Sequence, residues 1–335
     1  MRTRLVVLLL ACCACCGDPS PDETWRLVAK GLHPAVLSVW GTSASDVYIV
    51  GSDLGGMPLT GPLAMHFDGS KWTRLDTGIA SGELWWVYGF ANGPVYMGGS
   101  GGVILRYQNG AFTKLNTPGL NTVFGIWGAS PDDVWAVGGA SNGTHAFAWR
   151  LQGGDTWIDA ADFPPELANE SLWKMYGRSA NDAWMVGTNA KVVRWDGSAF
   201  TVTSLASLIG SESLFTVHAD ANGYVAVGGF GTGSIVENDG SGWRATTPAN
   251  QPPGLVGVCL SPVGNFAVGD DGTVLTRDGA NWIGVDVGMT VDESFHATWV
   301  DPSGGVWAVG GNTLLNPPVN GIVVHRGAEL PEISL

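Results

Sequence analysis

From residue 36 to residue 311 the chain writes one pattern seven times: a short apolar run, a polar turn, a second apolar run and a closing glycine. The clearest copy is residues 124–139, FGIWGASPDDVWAVGG. Apolar runs this short, bounded by turn signals, predict buried β-strands rather than helices. Aligned on the first run, one position reads Trp40, Tyr88, Trp127, Tyr176, His218, Cys259 and Trp299, at spacings of 48, 39, 49, 42, 41 and 40 residues. A period of about 40–45 residues is that of a four-stranded propeller blade.

Each unit supplies four strand-like runs. The first is seen in residues 36–41, 85–89 and 172–177, the second in 46–51, 133–138, 182–187 and 305–310. The third (103–107, 192–195, 274–277, 322–326) is cut off by pairs such as Asp68-Gly69, Asn109-Gly110, Asp196-Gly197, Asp239-Gly240 and Asp278-Gly279. These dipeptides supply the positive φ angles that a tight hairpin needs. The fourth is short: 72–75, 112–115, 200–202, 243–245 and 282–285. The seventh unit stops at Arg326-Gly327 without it, whereas residues 24–29, TWRLVA, have its composition and stand directly before unit one. The expectation is an all-β, seven-bladed β-propeller over residues 24–327, with four-stranded antiparallel blades. The N-terminal strand closes the last blade and removes an open sheet edge. Residues 328–335 are left as a C-terminal tail.

Composition supports this reading and narrows the partners. Fifty glycines in 335 residues mean either disorder or many turns, and 16 tryptophans with 45% hydrophobic residues exclude disorder. The net charge of −14, with basic residues scattered, excludes a nucleic-acid partner, which would need clustered Lys and Arg.

The N-terminus carries an address. Arg2 and Arg4 precede an apolar run over residues 5–11, the layout of an export signal and too short to span a bilayer. Leu9-Leu10-Ala11-Cys12 resembles the lipobox of bacterial lipoproteins. That resemblance implies a signal peptide of residues 1–11 and a diacylated Cys12 as the anchor in the lipid bilayer. It also implies a polar tether over residues 12–23 and an extracytoplasmic location, in the periplasm or on the cell surface. Cys13, Cys15 and Cys16 follow at once, so cleavage before Cys15 is an alternative, as is an ordinary secretory signal. Cys259 is the only other cysteine, so the domain has no internal disulfide.

The repeats resemble those of bacterial lipoproteins with sialidase-like (BNR, Asp-box-like) propellers, over residues 24 to about 327. The Asp-box reads S-x-D-x-G-x-x-W. Asp68-Gly69-Ser70-Lys71-Trp72, Asp239-Gly240-Ser241-Gly242-Trp243 and Asp278-Gly279-Ala280-Asn281-Trp282 approach it but lack one residue between Asp and Gly. The resemblance implies the fold and the extracytoplasmic setting, not an active site. Sialidases hold their substrate with converging arginines. Here Arg106, Arg150, Arg194, Arg277 and Arg326 recur at the end of the third run, one per blade, and are expected to point outward.

Other chemistry is sparse. The six histidines show no HExxH and no i, i+4 pair. His218 and Cys259 occupy the aligned aromatic position and are expected to be packed core groups. Asp46, Asp132, Asp133 and Asp182 precede second strands and read as turn residues. No cofactor is expected; calcium at the acidic segment 159–170 is a weak alternative.

In such a blade the connections from strand two to three, and from strand four to the next blade, share one face of the disc. That face carries the long and varied segments 52–62, 140–145, 159–170, 205–213 and 312–320. Two residues before the aligned position the blades read Ser38, Trp86, Gly125, Lys174, Thr216, Gly257 and Ala297. Trp86 and Lys174 break a run of small residues near the channel mouth. They are candidates for binding a sugar ring or an anion, or else for plugging the channel. The functional expectation is a binding or scaffolding module for a protein or glycan partner. The alternatives are a glycan-cleaving enzyme and a subunit of an envelope assembly.

Overall fold

The computed structural model describes residues 22–55, 60–248 and 250–335. The signal-peptide and lipidation expectations, including Cys12 and Cys15, lie outside these residues, as does part of the segment 52–62.

Seven four-stranded antiparallel sheets form the domain. Six are built from consecutive strands; the first contains Val36–Ser43, Asp46–Asp53, Pro62–Phe67 and Trp72–Arg74. The seventh joins Ser294–Val300, Val306–Asn312 and Val319–Arg326 to the N-terminal strand Trp25–Pro34, which pairs from Trp25 opposite Arg326 to Pro34 opposite Val319. The chain therefore closes its own ring. Residues beyond Arg326 fold back over this strand. The Ile333 N–H donates to the Val28 carbonyl at 3.2 Å, and Ile333 joins the core between blades seven and one.

Seven hydrophobic cores fill the seven gaps between neighbouring blades. Each blade is packed on both faces, which is why the second strands are solid apolar runs instead of alternating ones. Asp133–Gly139 and Gly223–Gly228 are buried throughout.

The aligned aromatic and the glycine after it form one device. A Cβ on Gly89 would lie 2.8 Å from the Trp40 ring of the preceding blade, and one on Gly177 would lie 2.6 Å from Trp127. Gly41 stands likewise 2.8 Å from Trp299, across the ring closure. These three tryptophans thus lie on a backbone that must lack a side chain. Where the aromatic is replaced by His218 or Cys259, the next blade carries Leu260 or Val300 instead of glycine, which restores the volume. His218 stacks on Tyr176 with ring centroids 3.8 Å apart, and its Nδ1 accepts the Leu260 N–H at 3.2 Å. Burial pulls the imidazole down to about 4 and pushes the Cys259 thiol up to about 12.

The third-strand arginines do not converge. Arg106 pairs with Asp155 at 2.7 Å, Arg150 with Asp133 at 2.8 Å and Arg277 with Glu237 at 3.2 Å. Arg194 lies 4.0 Å from Asp182, and Arg326 lies over the Phe266 ring at 5.2 Å. The Asp-Gly hairpins at Asp68, Asp196 and Asp239 are Asx turns. Asp68 Oδ1 accepts from the Ser70 N–H, the Ser70 hydroxyl and the Lys71 N–H at 2.7–2.9 Å, and Asp196 repeats the arrangement.

Glu237 is the carboxylate that ties blade five to blade six. It is buried and accepts from Arg277, from Arg244 and from the Trp282 indole N–H at 3.0 Å. Glu237→Ala leaves these donors facing a void and is expected to cost about 3 kcal/mol in equilibrium urea unfolding. Glu237→Gln, which keeps an acceptor and the side-chain volume, should cost less; equal losses for the two would show that the charge, not the volume or the remaining acceptor, carries the effect there.

Candidate binding funnel at the channel mouth

The inner strand of every blade contains a β-bulge at the same place. Its register skips one residue: between Val36 and Ser38, Leu84 and Trp86, Val123 and Gly125, Leu172 and Lys174, Leu214 and Thr216, Leu255 and Gly257, and Phe295 and Ala297. The skipped residues are Leu37, Trp85, Phe124, Trp173, Phe215, Val256 and His296. A bulge gives two residues to one partner and re-aims a side chain. All of these except Leu37 line one cavity of about 1040 Å³ at the channel mouth.

Four of the six are aromatic carbocycles or indoles, and with His296 and Phe230 they form a continuous girdle. Ring centroids are 5.7 Å apart for His296 and Trp85, 5.5 Å for Trp85 and Phe124, and 4.7 Å for Phe124 and Trp173. The sequence continues with 6.2 Å from Trp173 to Phe215 and 5.1 Å from Phe215 to Phe230. The contacts are edge-on or tilted, as ring quadrupoles favour.

The rim comes from the connections on the elaborated face. Phe230 is 70% exposed, and its N–H is held by the Glu212 carboxylate at 2.9 Å. Leu314 and Leu315, in the connection between the second and third strands of blade seven, are 95% and 52% exposed. Asp270, Asp271, Asp292 and Glu293 supply the rim at blades six and seven. Glu293 pairs with Lys30 at 3.2 Å; among the described residues no basic side chain pairs with the other three. Ser141 and residues 312–316 also border the cavity, whereas the segment 205–213 does not. The segment 159–170 folds over its own 3₁₀ turn, Pro165–Leu167. Its Glu170 is already engaged by the Thr188 hydroxyl and by the Asn189 amide at 2.9 Å. Among the described residues no three His, Cys, Asp or Glu side chains group as metal ligands.

Trp86 and Lys174, singled out from the sequence, meet each other. The Lys174 Nζ lies 4.4 Å from the Trp86 ring centroid and donates to the Phe124 carbonyl at 2.7 Å. The Trp86 indole N–H donates to the Ile126 carbonyl at 3.0 Å. Lys174 borders the cavity, while Trp86 packs into the cores of adjoining blades. Thr216 and Ser38 occupy the same strand position and also bond to a neighbouring inner strand, Thr216 to the Val256 carbonyl at 2.6 Å and Ser38 to the Val87 N–H at 3.2 Å. These side chains satisfy backbone groups that splayed inner strands cannot offer each other. Lys174 is 5% exposed, and burial pulls its amine down to about 7. Burial, reinforced by the nearby Lys174 charge, pulls His296 down to about 3; its Nδ1 donates to the Leu37 carbonyl at 2.6 Å. The floor is thus polar but internally bonded, and the wall above it is aromatic.

No protein family's sequence profile matches the chain, and no curated protein is similar to it in sequence. Its similarity is to solved folds. A structure of YCF48 bound to D1 peptide superposes with a TM-score of 0.65 at 15% identity, over 93% of this chain and 98% of that one. Virginiamycin B lyase from Staphylococcus aureus gives 0.66 at 12% identity, over 89% and 99%. The WD40 repeats of RRP9 give 0.68 at 12%, over 92% and 99%. At such identities the likeness is one of fold.

Proposed function

We propose that this protein is a lipid-anchored, extracytoplasmic propeller that binds or scaffolds a protein partner through the funnel on its elaborated face. The observation that carries this reading is the girdle of bulge-presented aromatics, opening onto a rim with exposed Phe230, Leu314 and Leu315. Large apolar side chains held open around a concave site mark an interaction surface. A propeller of similar fold, YCF48, bound to D1 peptide is in keeping with a peptide segment as the occupant. In this reading Lys174, held over Trp86, forms the floor against which the occupant rests. The Asp-box-like hairpins relate the repeat to sialidase-like propellers without their arginine cluster.

Cross-linking capture from envelope fractions tests the role. The wild-type protein should retain a partner that is lost when Trp173→Ala and Phe230→Ser are combined. Retention of the same partner by that variant would place binding elsewhere. The anchor has its own test: metabolic fatty-acid labelling should vanish in Cys12→Ala. Labelling that survives in Cys12→Ala but vanishes in Cys15→Ala would identify Cys15 as the processed residue.

A further inference from the structure

The funnel is two-sided, and its two sides ask for different parts of one ligand. Blades two to five contribute the aromatic wall, Trp85, Phe124, Trp173, Phe215 and Phe230, where the one carboxylate at the cavity among the described residues, Glu83, accepts from the Ser100 hydroxyl. Blades six and seven contribute the acidic arc, Asp270, Asp271 and Asp292, with no basic side chain paired to it among the described residues. Among the described residues Lys174 is the only lysine or arginine bordering the cavity, and its amine is committed to the Phe124 carbonyl and the Trp86 face. We infer that the funnel accepts a basic, partly apolar peptide segment, its lysine or arginine stems lying along the aromatic wall and their charged heads reaching the carboxylates of blades six and seven.

Three properties select this occupant. Lys and Arg stems cover apolar surface while their heads stay polar, which matches a site aromatic on one side and anionic on the other. Cations are drawn to indole and phenyl faces, and more strongly where water is partly excluded. The whole chain carries a net charge of −14, so long-range attraction favours a basic partner and disfavours an acidic one. An anionic ligand would meet the acidic arc before it reached the floor. A neutral glycan could stack on the wall but would leave the arc without counterpart.

This inference rests on the funnel being the partner site, and its test separates the two. Calorimetric titrations of the protein would use an octapeptide of alternating lysine and leucine, its Lys→Glu and Lys→norleucine counterparts, and maltoheptaose. The lysine peptide should bind at least about tenfold more tightly than either counterpart at low salt, and its advantage should shrink as salt is raised. Asp270→Asn/Asp271→Asn/Asp292→Asn, a near-isosteric loss of three charges, should remove the preference for lysine while leaving residual binding. Trp173→Ala should weaken binding of all the peptides. Equal affinity for the norleucine or glutamate peptide would overturn the basic ligand and leave the funnel a peptide site. Saturable binding of maltoheptaose with none of the lysine peptide would overturn it in favour of a glycan. Failure of every probe, with capture of a protein partner still lost in the Trp173→Ala/Phe230→Ser variant, would overturn the ligand class alone. Failure of capture as well would remove both readings.

Discussion

A chain that begins at Ala35, and so lacks the strand Trp25–Pro34, is expected to lose cooperative unfolding and to self-associate. Three observations require it. The strand supplies the outer member of blade seven, and Val28 and Ala29 of that strand belong to the core between blades seven and one. Ile322, Val323 and Val324 in the adjoining strand are fully buried, and their sheet edge becomes free when the partner leaves. The returning segment loses the Val28 carbonyl that holds Ile333. Each buried aliphatic side chain contributes about 1.5–3 kcal/mol, so the combined loss is on the order of 5 kcal/mol, comparable with the stability of a whole domain. Urea unfolding followed by tryptophan fluorescence should show a lowered, broadened transition, and sedimentation should show oligomers formed through the free edge. A synthetic peptide of residues 24–34, added in trans, should restore much of the midpoint. A monomeric truncated chain with an unchanged midpoint would show that three strands suffice for blade seven.

The second large effect is a gain. Lys174→Met is expected to stabilise the domain by about 2–3 kcal/mol at pH 6 and to lose that advantage above pH 10. The amine ionises near pH 7 in the folded chain and near 10.5 when unfolded. Between these values the unfolded state holds a proton that the folded state has released, so stability of the parent protein rises with pH across this window. Below it both states are charged, and the folded state bears the full cost of a buried ammonium with one carbonyl acceptor and one aromatic face. Methionine matches the length of the stem and carries no charge, and it forfeits the bond to the Phe124 carbonyl and the attraction of the charge to the Trp86 face, each about 1–2 kcal/mol. Guanidinium unfolding at pH 6, 8 and 10 reads the effect directly. A variant less stable than its parent at pH 6 would show that the contacts of Lys174 outweigh its desolvation.

Much of this architecture is legible along the chain because it depends on local rules. Asp68, Asp196 and Asp239 fix their hairpins through their own neighbours, and Gly41, Gly89 and Gly177, each following an aligned aromatic, admit the ring of the preceding blade. The missing fourth run of the last unit and the matching run at residues 24–29 together indicate ring closure, which the pairing of Trp25 with Arg326 bears out. The third-strand arginines, recurring once per blade, could not converge, and each has its own separate neighbour.

The site was less legible. Counting by twos from the aligned aromatic marks Trp86 and Lys174, of which Lys174 borders the cavity and Trp86 packs beneath it into the blade cores. Yet the same count passes over Trp85, Phe124, Trp173, Phe215 and His296, which an unbulged strand would turn toward the neighbouring blade. The signal was present as a column three residues before the aligned position, rich in aromatics where a buried strand favours aliphatics. Sequence by itself determined the number of blades, their strands, the closing strand and the turn chemistry, since each follows from periodicity and from residues near one another in the chain. Only the tertiary structure decided which inner-strand residues face the channel. That choice depends on seven bulges, and each bulge arises where a strand must bend to fit its neighbours around the ring.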